Sequence, residues 1–424
     1  MALALTAGLT PPLQTPPLRA SDPEVLLTEK AALAVPTGQD WRVTVTVREG
    51  DRVPQGGELA RLRNRPEVRL VAPMPATVAT IRLNPGSRLS EIVLFHEPGG
   101  DRACHRSVFE PALPGAGDLR LLMQMAGLWP LLRRRPFGGM PTAAERPNAI
   151  FVMATDTRPL AADPLVALRG QMPEFGLGLD VLGQLTDGPV YVCHPKGSDL
   201  VERGRAGGRA VGLACGARHP QGLAGVQILH HAPLSEGQAI WDIAAEEVAA
   251  LGHLLKTGYM PETRLVSVAG PGLRESRLLR TQPGADLRGL VQGIVQPRGH
   301  RLLSGSALDG HDAHWLGWRD RQVTVLPRAD RAPKPHWFRA ALTRSALPSP
   351  VIPILALDQA LGGAVPAAAL VRALCAGEDE AATRFGALSL QEEDLALADY
   401  VLGGTADLRG HLRRFLTRAA QEAA

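Results

Sequence analysis

Apolar and polar positions alternate with a period of two over residues 40–95. The alternation is clear in "WRVTVTVREG" and "VRLVAPMPATVATIRL", and Gly and Pro interrupt it at intervals. A period of two places successive side chains on opposite faces of a strand, and the interruptions mark turns. The pattern predicts a β-rich N-terminal domain over residues 1–104.

Helical and strand-like segments then alternate over residues 105–258. The predicted strands are "NAIFVMATD", "PVYVCHP" and "RAVGLAC", and the predicted helices are "GDLRLLMQMAGLW", "FGLGLDVLGQL" and "DIAAEEVAALGHLLKTG", the last ending at Gly258. This order predicts a Rossmann-like α/β layer. Open sheets of this kind bind ligands at the carboxyl ends of their strands. We therefore expect a ligand near Thr155-Asp156, His194-Pro195 or Cys215 to His219.

Short strands return in residues 259–330 and predict a β-grasp domain of the SLBB or ubiquitin-like type. Residues 331–424 begin with a proline-rich linker, "RAPKPHW" and "ALPSPVIP", and continue as a helical C-terminal domain. Ser389 and Glu392 form a predicted capping box, and Thr405 is the predicted cap of the last helix. The expected fold class is thus α/β with additional all-β parts, in four domains.

Composition excludes several classes of protein. Lys+Arg exceeds Asp+Glu only as 46 against 42, a net charge of +4, and the charges are spread along the chain rather than gathered into the basic stripe of a nucleic-acid binder. The four cysteines, at 104, 193, 215 and 375, include no Cys-x-x-Cys pair, as expected in a reducing compartment. Neither a secretory signal nor a membrane-spanning stretch is expected.

The N-terminal domain shares a pattern with carrier modules. Gly50-Asp51-x-Val53-x-x-Gly56, followed by Ala72-Pro73, resembles the barrel-sandwich hybrid of biotinyl and lipoyl carriers. Those carriers need a lysine on an exposed hairpin. Here no lysine lies between Trp41 and Phe95, and Met74 stands where the hairpin should turn. We therefore expect this domain to have the carrier fold without the covalent cofactor and to serve as a structural or docking module.

The stretch "GLWPLLRRRPFGGMPT", residues 127–142, is a candidate binding segment. A phosphate cradle needs converging backbone N–H groups and glycines, but no glycine lies between Gly127 and Gly138, and Pro136 removes a donor. A nucleotide phosphate on the arginines stays open. The favoured interpretation is a basic and aromatic surface used for packing or for docking an acidic partner or lipid headgroups. The residues of that candidate partner or quinone-proximal surface are Trp129, Arg133, Arg134, Arg135 and Phe137.

Other motifs predict no chemistry. Gly222 and Gly225 in "ARHPQGLAGVQ" do not match Gly-x-Gly-x-x-Gly. They are interpreted as a tight strand-to-helix turn, and an anion site stays open as the alternative. No nucleophile elbow, His-Glu-x-x-His helix or Walker loop is present. The metal candidates lack zinc or iron–sulfur spacing: His311 with His314, His230 with His231, and Cys193-His194 with Cys215 and His219. No pairing marks Asp156, Asp163, Glu246 or Glu247 as acid or base. No catalytic, cofactor-binding or metal-binding residue is therefore predicted.

Six phrases, spread over roughly residues 40–420, carry a resemblance to a known family. They are "GLWPLLRRRPF", "AIFVMATDTRPLAADP", "HPQGLAGVQI", "RLVSVAGPGLRESRLLRTQPGADL", "RLLSGSALDGH" and "SLQEEDLALADYV". Together, and in this order, they resemble the A subunit of the Na+-translocating NADH:quinone reductases (Na+-NQR). Their collinearity is more specific than any single phrase.

The resemblance implies a cofactor-free peripheral component on the cytoplasmic side of the bacterial inner membrane. NADH, FAD, FMN, riboflavin, iron–sulfur and ubiquinone are then expected on the other subunits of the complex, and the chief partner is the membrane-embedded B subunit, which bears FMN, with ubiquinone nearby. Related electron-input proteins seat FMN where this chain has residues 127–142, and Trp129, Leu131 and Leu132 would collide with it. The complex would be an NADH:ubiquinone reductase that exports Na+, and this chain alone would not be catalytic.

Two alternatives belong to other functional classes. The first is a self-contained NADH- or flavin-binding electron-input dehydrogenase that uses the α/β layer. The second is a stand-alone scaffold or carrier-like protein. Bound flavin would favour the first, and isolation from membrane subunits would favour the second.

Overall fold

The chain folds as a mixed α/β protein with four β-sheets. The computed structural model describes residues 5–422 apart from residues 6, 37, 106–113, 329–353 and 405. The described residues form sheets of six, five, four and three strands. The predicted linker segments "RAPKPHW" and "ALPSPVIP" and the predicted cap Thr405 lie outside the described residues.

Two sheets build most of the N-terminal part. Its strands are β1 (Glu24–Val25), β2 (Lys30–Ala34), β3 (Val43–Val45), β4 (Arg52–Val53), β5 (Glu58–Leu62), β6 (Arg65–Val71), β7 (Ala76–Asn84) and β8 (Arg88–His96). They pair in the orders β2-β8-β7-β4 and β3-β5-β6. Alternate residues such as Val68 and Leu70 are fully buried, as the period of two predicts. Met74 lies in the connection between β6 and β7, where a turn was expected, and its side chain is buried, at 2% exposure.

The leading residues of the predicted first domain pair with later parts of the chain. β1 pairs in parallel with a strand at Arg277–Thr281, which lies in the predicted third domain. Leu9 forms a bridge with His219 of the α/β part. Backbone groups of this leading segment therefore pair with segments that the sequence assigns to later domains.

A five-stranded sheet forms the centre of the molecule. Its elements are α1 (Ala116–Met125), β9 (Arg133–Arg135), β10 (Ala149–Met153), α2 (Pro164–Ala167), α3 (Met172–Leu182), β11 (Val190–Pro195), β12 (Ala210–Cys215), α4 (Ala224–His231), β13 (Ile240–Ala244) and α5 (Ala245–Thr257). The order is β12-β11-β10-β13-β9, with β9 antiparallel to β13 and the others parallel. The prediction of a helix from Asp242 is wrong, since Asp242 to Ala244 complete β13. Gly258 ends α5 in the left-handed conformation, at φ 85°, as expected.

Both faces of this central sheet are covered. Ile150 and Val152 of β10 share a core with residues of α1, α3 and α5. Phe151, on the other face, shares a core with α4 and with the C-terminal helices. Strands buried on both faces explain the nearly continuous apolar run of "AIFVM".

The third part is a six-stranded sheet. Its elements are β14 (Arg264–Ala269), β15 (Arg277–Thr281), α6 (Leu287–Val291), β16 (His300–Ser304), β17 (His311–Asp312) and β18 (Gln322–Pro327). The strand order is β1-β15-β14-β18-β16-β17. The short helix predicted near "ADLRGLVQG" is confirmed as α6, which Asp286 caps by accepting a hydrogen bond from the backbone of Arg288.

The described C-terminal residues 354–422, here called the tail, are helical. The helices are α7 (Leu355–Ala360), α8 (Ala367–Ala376), α9 (Asp379–Arg384), α10 (Ala396–Val401) and α11 (Leu408–Glu422). Single 3-10 turns lie at Trp129–Leu131, Gly183–Leu185, Arg205–Gly208, Ala387–Ser389 and Glu392–Leu395. Within the described ranges, no helix is both long and apolar enough to cross a bilayer.

The predicted capping box in the tail is shifted by two residues. Gln391 and Asp394, rather than Ser389 and Glu392, exchange the two side-chain to backbone hydrogen bonds. Ser389 is fully buried, and its hydroxyl accepts a hydrogen bond of 3.0 Å from the backbone of Leu234. The pairing with Glu392 is wrong because this serine is already bonded to the loop that follows α4.

Helices α3 and α5 approach each other closely at Gly178. This close contact predicts how a larger side chain there would change stability. A Cβ at Gly178 would overlap the carbonyl oxygen of Val248. We expect Gly178→Ala to lower the free energy of unfolding by about 1–3 kcal/mol, because the packed backbone must shift. Denaturant unfolding measures the change.

Gly117 supplies the matched control. It lies in α1, and a Cβ there has no atom within 4 Å. Gly117→Ala should stabilise the chain by about 0.5–1 kcal/mol through helix propensity. Equal effects of the two substitutions would contradict the close approach of α3 and α5.

Candidate functional site

The stretch at residues 127–142 is folded into the protein interior. The Trp129 indole is fully buried and donates a hydrogen bond of 3.0 Å to the carbonyl of Pro141. Its ring stands edge-on to Trp241 of β13, with centroids 5.6 Å apart. The Arg120 guanidinium lies 5.7 Å from the Trp129 ring centroid. The first half of the stretch therefore anchors the edge of the central sheet.

The three arginines form β9, the antiparallel edge strand. The register sets Arg133 directly opposite Asp242 of β13, and cross-strand neighbours of opposite charge attract each other. Arg133 Nη2 lies 3.0 Å from Asp242 Oδ2, and Arg135 Nε lies 3.0 Å from Oδ1. One carboxylate thus holds two guanidinium groups.

The same arginines reach the tail. Arg135 Nη1 donates to Asp394 Oδ2 at 2.9 Å and to the carbonyl of Ser389 at 3.0 Å. Arg133 Nη1 lies 2.5 Å from Glu393 Oε1. We call Arg133, Arg135, Asp242, Glu393 and Asp394 the arginine network. It joins the central sheet to the 3-10 turn at Glu392–Leu395.

Burial and charge act in opposite directions on the network. Burial alone would raise the pKa of Asp242, but Arg133 and Arg135 lower it below its ordinary value. Burial likewise opposes charge on Arg135, yet Asp394 and Asp242 raise the pKa of that guanidinium. Burial raises the pKa of Asp394 in spite of Arg135. The ion pairs persist because each buried charge has a partner of opposite sign.

These positions correct the predicted surface. Trp129 and Arg135 are fully buried, so their assignment to an exposed surface is wrong: the indole packs in the core and the guanidinium pairs with three carboxylates. Arg133, Arg134 and Phe137 are half-buried. Arg134 pairs with Glu145 at 2.5 Å and lies over the Phe137 ring, 5.3 Å from its centroid.

A cavity of about 210 Å³ opens beside the network. It lies at the carboxyl ends of β10 and β13, the first and fourth parallel strands along the chain, which are neighbours in the sheet. This is the switch point where open α/β sheets bind ligands. The six-stranded sheet and the tail close it. Its ionisable lining consists of Arg133, Arg158, Arg319, Arg321, Asp156, Asp242, Glu246, Glu247, Asp309, Asp320 and Glu393.

Most of these charges are paired across domain boundaries. Arg158 lies 2.6 Å from Asp309 of the six-stranded sheet's β16–β17 loop, and Arg321 pairs with Glu247 of α5. Arg319 instead donates to the backbone carbonyls of Pro130 and Leu132, both at 2.7 Å. Burial lowers the pKa of Arg319 to about 10.

The expectation of a ligand at the carboxyl ends of the strands, here called the strand-end rule, identified part of this cavity. Thr155 and Asp156 line it, whereas His194-Pro195 and Cys215 to His219 do not. Gly222 of the predicted turn also lines it and donates to Thr157 Oγ1 at 2.9 Å. Glu246 and Glu247 were not predicted to lie here, although their position directly after a buried strand was a usable signal. Asp163 lies elsewhere and caps α2.

The metal candidates are brought together only in part, since the Cys193 and Cys215 side chains contact each other. No group of three or more His, Cys, Asp or Glu side chains within the described part of the chain is arranged to hold a metal ion. Cys193 and Cys215 are buried free thiols on β11 and β12, Cys104 is exposed, and Cys375 is half-buried.

The fold and the cavity define a multidomain α/β protein. Its strand β9 occupies the edge of the central sheet, next to β13 and the cavity at the switch point. Family models described as "NqrA second alpha/beta domain" and "NQRA C-terminal domain" match residues 116–260 and 265–314. Among curated relatives, the A subunit of the Na(+)-translocating NADH-quinone reductase of Pseudomonas aeruginosa strain UCBPP-PA14 is 33% identical over 89% of this chain and 91% of its own length. The protein of that name from Serratia proteamaculans is 32% identical over 99% of this chain and 100% of its own. The chain belongs to the family of A subunits of the Na(+)-translocating NADH-quinone reductases.

A solved structure also matches at a lower level. The NAD+-reducing [NiFe]-hydrogenase in the H2-reduced state is 15% identical, with a TM-score of 0.37, over 74% of this chain and 65% of the matched chain. A similarity of this size carries no functional conclusion.

The arginine network predicts a pH-dependent stability. Asp242→Asn leaves the fully buried Arg135 and the half-buried Arg133 without their shared carboxylate, so we expect a loss of about 3–5 kcal/mol in the free energy of unfolding at pH 7. Because the pKa of Asp242 is lower in the folded chain, its stabilisation is present above the unfolded value of about 4 and disappears as pH falls through the folded value. In thermal melts between pH 3 and pH 7, the difference in melting temperature between the two proteins should therefore shrink as the pH falls.

Asp187→Asn is the control, because Asp187 pairs with Arg146 on the surface and its side chain is 80% exposed. We expect little change in its melting temperature at any pH. A wild-type and an Asp242→Asn protein of equal stability at pH 7 would contradict the proposed importance of the network.

Proposed function

We propose that the chain works as the cofactor-free, peripheral A subunit of a Na+-translocating NADH:quinone reductase. Activity then belongs to the complex, which oxidises NADH, reduces ubiquinone and exports Na+. The observation that carries this proposal is the match to named A subunits along 89–99% of the chain. FAD, FMN, riboflavin and iron–sulfur groups would be held by the other subunits, and the chain would lie on the cytoplasmic side of the membrane against the FMN-bearing B subunit.

Side chains at the switch point support the absence of a flavin. Trp129 and Leu132 are fully buried and Leu131 is 7% exposed, so they fill the core beside β13. Arg133, the first residue of β9, lines the cavity and is already paired with Asp242 and Glu393. A flavin phosphate would have to displace these carboxylates from the arginine, at the cost of leaving buried charges unpaired.

The finer fold names belong to the same proposal. We infer that the two N-terminal sheets form a barrel-sandwich hybrid, that the central sheet is Rossmann-like, and that the six-stranded sheet is a β-grasp domain of the SLBB type. The mixture of a four-stranded and a three-stranded antiparallel sheet, and the β12-β11-β10-β13 order, support these names. The domain limits at 105, 259 and 331 remain predictions.

Assembly tests the proposal. An affinity-tagged copy of this chain, expressed in its own host and extracted in mild detergent, should co-purify with multi-span membrane subunits that carry flavin. The separately purified chain should show no flavin absorbance and no NADH affinity tighter than about 1 mM, roughly 4 kcal/mol.

Two outcomes would favour the other functional classes. Flavin bound to the isolated chain would favour a self-contained dehydrogenase. A tagged chain recovered without membrane subunits, from cells in which NADH:quinone reduction survives its deletion, would favour a stand-alone scaffold.

We infer that the partner or quinone contact of residues 127–142 uses the exposed parts of Arg133, Arg134 and Phe137, since Trp129 and Arg135 are buried. In the assembled complex, a photoreactive quinone should label this chain near Phe137, and Phe137→Ala should reduce that labelling severalfold. Labelling confined to the other subunits would contradict a quinone contact on this chain.

A further inference from the structure

The cavity at the switch point contains polar groups that the protein leaves without partners. Thr155 is 7% exposed and lines the cavity, and its hydroxyl makes no hydrogen bond to any described residue. Gln322 is 4% exposed and lines the same cavity, and its Oε1 has no hydrogen-bond partner among the residues described. A buried polar group is normally satisfied, so the unpaired Gln322 Oε1 indicates that a hydrogen-bond donor is missing from the cavity.

The orientation of Gln322 is fixed by its other bonds. Its Nε2 donates to the carbonyl of Pro159 at 2.8 Å and to Thr324 Oγ1 at 3.0 Å. The carbonyl can only accept, and the Thr324 hydroxyl donates its own proton to the carbonyl of Gly305 at 2.8 Å. Exchanging the amide oxygen and nitrogen would place oxygen against two acceptors. Oε1 is therefore an acceptor that still needs a donor.

Donors without partners line the cavity as well. Arg319 uses Nε and Nη2 for backbone carbonyls, and its Nη1 makes no hydrogen bond within the described part of the chain. Helix α5 begins at the cavity, with Ala244 to Glu247 in the lining, and no side chain caps its first turn. Uncapped amides at the start of a 13-residue helix attract a negative group.

Acceptors without partners line the same cavity. Glu247 Oε1 accepts from Arg321, while its Oε2 has no hydrogen bond among the described residues. Seven carboxylates and four arginines line the cavity, so the lining is negative overall and a simple anion would be repelled. A simple cation would leave Arg319 and the amides of α5 without acceptors. A ligand that carries both a positive and a negative charge satisfies the unpaired donors and the unpaired acceptors.

We propose that this cavity binds a small zwitterion, a molecule of the free α-amino acid class. Its carboxylate accepts from Arg319 Nη1 and from the first turn of α5. Its ammonium group donates to Glu247 and to Gln322 Oε1, and the Thr155 hydroxyl completes the set. The cavity volume of about 210 Å³ suits such a compact ligand. The site is independent of the role proposed above in the reductase.

Calorimetric titration of the purified full-length chain tests the proposal. The probes are glycine and L-alanine as zwitterions, sodium acetate as the anion alone, methylammonium chloride as the cation alone, and glycerol as a neutral donor and acceptor. Binding of a zwitterion, with no binding of the other three at the same concentration, is the expected result. Equal binding of acetate or methylammonium, or binding by none of the probes, would overturn the proposal and leave water as the occupant.

Substitution of Thr155 locates the site. Thr155→Val removes only an unpaired hydroxyl, so the free chain should keep its melting temperature, while affinity for the zwitterion should fall about tenfold, or 1.4 kcal/mol. Thr155→Ser keeps the hydroxyl and should bind nearly as well as wild type. Thr80→Val makes the same change on β7, far from the cavity, and should have no effect. Unchanged binding by Thr155→Val would place any bound zwitterion elsewhere and refute the site.

Discussion

The ion pairs of Asp242 with Arg133 and Arg135 are the interaction on which the arrangement of the molecule depends. Asp242 lies on β13 in the middle of the protein, and its two guanidinium partners lie on the edge strand beside it. Each arginine continues to a carboxylate of the tail. Three separate segments of the chain therefore meet at one buried carboxylate, and none of them can move without leaving a charge unpaired.

This constraint explains why the stretch of three arginines is not a nucleotide loop. A loop that binds phosphate needs free amides and free positive charge. Strand β9 instead pairs with β13, its Arg134 amide donates to the carbonyl of Gly139, and Arg133 and Arg135 hold the tail. Trp129 and Trp241 pack edge-on behind the strand and remove the remaining space. The switch point keeps a cavity of about 210 Å³, closed by residues such as Arg319 and Gln322 from the part of the chain that forms the six-stranded sheet.

Sequence patterns predicted the local elements well and the long-range contacts poorly. The strands at "NAIFVMATD" and "PVYVCHP" and the helix ending at Gly258 follow from periodicity and capping, which depend on neighbouring residues. The burial of Arg135 could not be predicted, because arginine is rarely buried without partners and its partners Asp242 and Asp394 lie 107 and 259 residues away. The cavity could not be fully predicted for the same reason. The strand-end rule located Thr155 and Asp156, but Gln322 and Arg319 come from a different domain. Ser389 shows the converse case, in which a plausible local motif is overridden by a distant backbone group.

The C-terminal helices share a buried core with α4 and Phe151, so they are part of the folded body rather than an appendage that could be removed. Phe415, Leu412 and Leu370 are fully buried against the same cluster as Phe151 of the central sheet. A shortened protein that ended with the six-stranded sheet would expose this apolar face to water. It would also remove Glu393 and Asp394 from Arg133 and Arg135, which would keep only Asp242 as a partner. Domain-by-domain expression of this chain would thus yield an aggregating fragment, and the boundary before residue 354 separates stretches of sequence rather than units that fold alone.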